Sequence, residues 1–99
     1  MIFPTINEVC EALANVQSSI ERGGCDVRLQ VISNGDWAVH SGDASYDIDH
    51  RGYWGASSIN KRDSKRNRRA IAADLIEQAA DHAAQNGETV EDDTMTWSA

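Results

Sequence analysis

Six cations fall within nine residues. The string KRDSKRNRR at 61–69 holds Lys61, Arg62, Lys65, Arg66, Arg68 and Arg69 against a single acid, Asp63. The segment therefore carries +5, while the rest of the chain carries −12. The chemistry suggested is recognition of an anion. The stretch opens an Ala-rich helical sequence, and the free N–H groups of a helix start point the same way as its nearby cations. Cations in a first helical turn are otherwise disfavoured, by ~0.3–1 kcal/mol each at exposed sites. The same residues have an internal use as well: pairing with the chain's own acidic excess, or standing solvated on a loop.

A second group lies upstream. Arg51, Tyr53 and Trp54 are of the types that anchor interfaces and stack on bases. On a strand Tyr53 and Trp54 face opposite sides, so one of the two turns outward, and core packing is the first expectation for Trp54. Asp47, Asp49 and His50 have metal-binding side chains, but the spacing D-x-D-H has no second cluster and lacks the glycine and terminal glutamate of an EF-hand. No metal and no other cofactor is expected. His40, His50 and His82 stand near no Ser or Cys in a catalytic pattern, and G-x-S-x-G, P-loop and H-E-x-x-H motifs are absent. The expectation is a protein that binds and does not catalyse.

The elements that would position these residues follow from size and pattern. With 99 residues, 40% hydrophobic and 25% charged, the chain suits one small globular domain. That domain is expected over 1–87, followed by an acidic tail over 88–99 that holds Glu88, Glu91, Asp92 and Asp93. A net charge of −7 disfavours broad attraction to nucleic acid or anionic lipid while leaving room for a local basic site. No apolar run is long enough for a membrane helix, and Met1–Glu8 lacks the pattern of a secretory signal. The expected location is the cytoplasm, with Cys10 and Cys25 reduced and without membrane contact.

Thr5-x-x-Glu8 fits a capping box. Ile6, Val9, Cys10, Leu13, Val16 and Ile20 then form one apolar helical stripe that Gly23-Gly24 ends. Val27, Leu29 and Val31 alternate with polar residues, and Asn34-Gly35 signals a hairpin. A three-residue loop with Gly35 in a left-handed bulge sets Val31 opposite Trp37 and Leu29 opposite Val39, which gathers all the large apolar residues on one face. Tyr46–Ile48 and Tyr53–Ile59 read as short extended segments. A last helix is expected from about Asp63 to about Gln85, with Ile71, Leu75 and Ile76 inward. The fold class is α+β, ordered α-β-β-β-α, an antiparallel sheet with two helices packed on one face. Its core is expected to comprise Ile6, Val9, Leu13, Val16, Val27, Leu29, Val31, Trp37, Val39, Ile71, Leu75 and Ile76.

Two resemblances bear on function. The element order, with Ser64-Lys65-Arg66 and Arg68-Arg69-Ala70 opening the final helix, resembles the double-stranded-RNA-binding domain. That likeness implies phosphate contacts from Lys65, Arg66 and Arg69. The chain departs from that family in its short hairpin loop, in Arg68 and in its acidic body. The second is a likeness of sequence over roughly residues 37–80. Asp49-His50-Arg51-Gly52-Tyr53-Trp54-Gly55-Ala56-Ser57-Ser58, together with the basic stretch and Asp74-Leu75-Ile76-Glu77-Gln78, resembles a group of small phage and prophage proteins. That group implies a viral accessory role. Small acidic phage proteins often act against host defences, including as anti-CRISPR proteins, by occluding a nucleic-acid path or a protein interface. The expected function is thus inhibition of a host defence protein or nucleoprotein complex. A small nucleic-acid-binding module using residues 61–69, and a phage accessory protein of another role, are the alternatives.

Overall fold

Thr5 and Glu8 determine where the first helix begins. In the computed structural model, which describes residues 2–22, 26–32, 35–41, 52–58 and 64–86, the Thr5 hydroxyl accepts from the Glu8 N–H at 3.1 Å. The Glu8 carboxylate accepts from the Thr5 N–H at 2.9 Å. The capping box is formed, and α1 spans Ile6–Asn15. It does not run on to Gly23 as one helix. Val16 leaves helical geometry (φ −102°, ψ 10°), and its N–H is shared between the carbonyls of Ala12 and Leu13. A separate short helix, α2, follows over Gln17–Arg22. At the break the Gln17 side chain enters the interior, 7% exposed, where its amide donates to the Ser64 hydroxyl at 2.7 Å. The described residues therefore form three helices where two were expected.

Strands β1 (Asp26–Val31) and β2 (Trp37–Ser41) pair in the register the apolar pattern demands, Val31 with Trp37 and Leu29 with Val39. Gly35 has φ +98°, the left-handed conformation of the bulge, and the Ile32 N–H donates to the Asp36 carbonyl at 2.8 Å. Strand β3 (Tyr53–Ser58) lies on the other side of β1, antiparallel, with Leu29 opposite Gly55. The order is β2-β1-β3, so β1 is central.

The last helix, α3, spans Arg68–Asn86. It starts five residues later than the composition suggested. Residues 64–67 form a turn, and Ile71 N–H to Asn67 O, 2.8 Å, closes the first helical bond. Ser64 is 1% exposed and held by Gln17, which fixes that turn outside the helix. The late start also keeps Lys65 and Arg66 out of the positively charged first turn.

Val9, Leu13, Ile20, Ile71, Leu75 and Ala79 of the helices meet Val27, Leu29 and Val31 of the sheet in one core. Ile6, Val16, Trp37, Val39 and Ile76 pack around it half-buried. The molecule is an α+β fold, a three-stranded antiparallel sheet flanked by helices. The seam between α3 and β3 is tight. A Cβ on Gly55 would overlap the Leu75 carbonyl oxygen and stand 3.0 Å from its carbon and 3.1 Å from the Gln78 Cβ. No helix among the described residues is long and apolar enough to cross a membrane.

Candidate binding surface

Alternation along β1 sends Val27, Leu29 and Val31 into the core and Asp26, Arg28 and Gln30 to the other face. The registers then place His40 of β2 and Ala56 of β3 beside Arg28, and Ala38 and Trp54 beside Gln30. The outer face thus gathers a cation, an imidazole and an indole from three strands. Trp54 and His40 sit on opposite flanks of β1 and still meet across it, ring centroids 5.6 Å apart at 31°. His40 Nε2 lies within hydrogen-bonding distance of the Gln30 amide oxygen, at 3.0 Å. Burial, and secondarily the positive charge of Arg28, lower the His40 pKa from its usual 6.5. A shallow hollow lined by Asp26, Arg28, Ala56 and Ser57 continues this face. The neutral imidazole against the indole, with the Arg28 guanidinium opposite His40, offers aromatic stacking and a nearby cation.

Tyr53 faces the other way. It is 2% exposed, and its ring meets His82 of α3 edge-on at 5.5 Å. Of the two adjacent aromatics, Trp54 is the one turned outward. His82 also accepts from the Trp54 N–H through Nδ1 at 3.1 Å, and one turn earlier Gln78 Oε1 accepts from the Ala56 N–H at 3.0 Å. Residues four apart on α3 thereby satisfy two outward donors of edge strand β3.

A pH dependence follows. Nδ1 can accept only while unprotonated, and burial lowers the His82 pKa from 6.5. A lowered folded-state pKa means that the unfolded chain binds more protons below 6.5. The stabilisation is present above pH 6.5 and is lost as pH falls through the folded-state value; His40 acts in the same direction. Melting temperature should therefore drop over the interval just below pH 6.5, above the range where most carboxylates titrate. His82→Ala should show a lower but flatter profile. A wild-type melting temperature that rises across that interval would refute the assignment.

The basic segment is tied to its own chain. Arg68 Nη2 donates to Gln17 Oε1 at 3.2 Å, and Arg69 Nη1 donates to Asn7 Oδ1 at 2.8 Å. Lys65 Nζ lies 3.6 Å from Glu21, with the two side chains 67% and 51% exposed, so this pair contributes at most about 1 kcal/mol. Arg68 Nε is buried with no acceptor among the described residues. Arg66 is exposed. Of the expected site residues, Arg51, Lys61 and Arg62 lie outside the described residues, as do Cys25, Asp47, Asp49, His50, the Tyr46–Ile48 segment and the acidic tail. Among the described residues no three His, Cys, Asp or Glu side chains are grouped to hold a metal ion.

Arg28, Gln30, His40, Gln78 and His82 were not singled out as binding or positioning residues from sequence. For His40 a signal existed. The preferred hairpin register already puts it opposite Arg28 on the polar face. For His82 and Gln78 no signal existed, because their role depends on α3 lying along β3. Comparison with protein-family models, with curated proteins and with solved structures finds no match for this chain.

Proposed function

We propose that this chain is a phage-encoded, non-enzymatic binding protein that acts in the host cytoplasm by occupying an interface of a host defence complex, such as a CRISPR effector. The reading is supported by the resemblance of the H-R-G-Y-W-G-A-S-S string to small phage proteins and by a charge of −7, suited to basic nucleic-acid-binding surfaces. One observation carries it. Within that string Tyr53 and Gly55 are used up by the fold, one as core and one as the contact with α3. Trp54 is half-buried on the outer face with His40 and Arg28 in reach. An indole that the core does not need is a typical hot-spot residue.

The test is a pull-down from host lysate with the wild-type chain and Trp54→Ala. Wild type should capture a defence protein or nucleoprotein. Trp54→Ala should bind it at least about 30-fold more weakly, the equivalent of ~2 kcal/mol. Capture that survives the substitution unchanged would remove Trp54 from the interface, and no capture at all would remove the function. The exposed Lys65, Arg66 and Arg69 keep the nucleic-acid-binding alternative in view. Binding to double-stranded RNA with a steep salt dependence, abolished by neutralising those three residues, would establish that alternative in place of the first.

A further inference from the structure

The two edges of the sheet are treated differently. In the hairpin, Ile32 N–H bonds to Asp36 O. Hydrogen-bonded and non-bonded pairs alternate from there, so Ala38 and His40 bond to β1 while the N–H and C=O groups of Trp37, Val39 and Ser41 point away from it. Continued through β1, the alternation sends the N–H groups of Trp54 and Ala56 to the far edge of β3. There His82 and Gln78 accept from them. These two donors of the β3 edge are capped by side chains of α3. At the β2 edge no described residue accepts from or donates to the outward groups of Trp37, Val39 and Ser41.

Edge strands are ordinarily guarded by charge, proline or a bulge within the strand. Trp37-Ala38-Val39-His40-Ser41 has none of these. The strand is also self-complementary. A two-fold axis through Val39 lays Val39 against its own copy, Trp37 against Ser41 and Ala38 against His40. The outward groups of Trp37, Val39 and Ser41 then all find partners in one antiparallel ladder. With no Asp, Glu, Lys or Arg in the strand, no like charges face each other there, although each chain carries −7 overall. Trp37 and Val39 are half-buried on the core side, so the joined sheet would continue their apolar face across the axis. We infer that two copies of this chain pair edge to edge through β2, antiparallel about Val39, to form one continuous six-stranded sheet. Self-pairing at this edge is separable from the outer-face surface: it uses the outward backbone groups of Trp37, Val39 and Ser41, whereas Trp54 meets β2 through the His40 ring.

The experiment uses the full chain. Sedimentation equilibrium over a concentration series should show the mass rising to twice that of one chain. Amide exchange followed by NMR in the same series should slow by about tenfold or more at Trp37, Val39 and Ser41 together. Ala38 and His40, bonded within the sheet, should be protected throughout. Ser41→Pro removes one outward donor and no bond to β1, so it should return the protein to single-chain mass with its melting temperature retained. Should that variant fail to fold, the wild-type exchange pattern decides by itself. Single-chain mass at every concentration overturns the inference. So does exchange at the three amides that ignores concentration, or protection of them only when a different protein is added.

Discussion

Gly55→Ala is expected to destabilise the protein by roughly 3 kcal/mol, the upper end of what one added methyl costs in a packed seam. The new Cβ would overlap the Leu75 carbonyl oxygen. That atom is helix backbone and cannot swing aside as the tip of a side chain would. Either α3 moves off the sheet or β3 bends away from β1. The Trp54–His82 and Ala56–Gln78 hydrogen bonds flank Gly55 on both sides and would stretch together if α3 moved. Leu75, fully buried in the core, would move with its carbonyl. Against a total of about 5–15 kcal/mol for an ordinary domain, this is a large share. Urea unfolding of wild type and variant measures it, and a difference below ~1 kcal/mol would show that the seam yields easily.

Tyr53→Ala should be as damaging or worse, about 3–5 kcal/mol, because it empties the space of a large ring from the core. Tyr53→Phe keeps the ring and its edge contact with His82 and should cost about 1 kcal/mol or less. Trp54→Ala, one residue on, should leave most of the stability in place because its ring lies outside the core. The pair separates folding from binding. Activity lost with Tyr53→Ala should return when the measurement is scaled to the folded fraction, whereas activity lost with Trp54→Ala should not. Thermal melts beside the pull-down decide it, and a Tyr53→Ala protein that melts like wild type would contradict the burial.

Local chemistry was legible in the sequence. Thr5 and Glu8 announced the first helix because a capping box needs only four residues. The hairpin register followed from where Val27, Leu29, Val31, Trp37 and Val39 fall, since one residue of slip would split them between faces. All twelve expected core residues are in or against the core for the same reason. What stayed hidden depends on partners distant in sequence. The break at Val16 is invisible to periodicity, because the apolar stripe keeps its spacing across it. Its cause lies with Gln17 reaching Ser64, 47 residues away. The late start of α3 has the same origin. The placement of β3 beside β1 could not be read either, because alternation tells which side of a strand is apolar and not which neighbour it takes. The basic segment was visible as charge, yet its partners Asn7, Gln17 and Glu21 are ordinary polar residues of α1 and α2.

The order β2-β1-β3 also has a consequence in time. The hairpin joining β1 to β2 closes a short loop, whereas Val31 must wait for Tyr53 to arrive from much further along the chain. The hairpin and its helical cover should therefore organise before the folding barrier is crossed, and the β3–α3 seam after it. A substitution in the turn, such as Gly35→Ala, should slow refolding. Gly55→Ala should leave the refolding rate nearly unchanged and speed unfolding instead. Stopped-flow chevrons would separate the two. On this account the lifetime of the folded protein is governed by how tightly one glycine lets a helix sit on a strand.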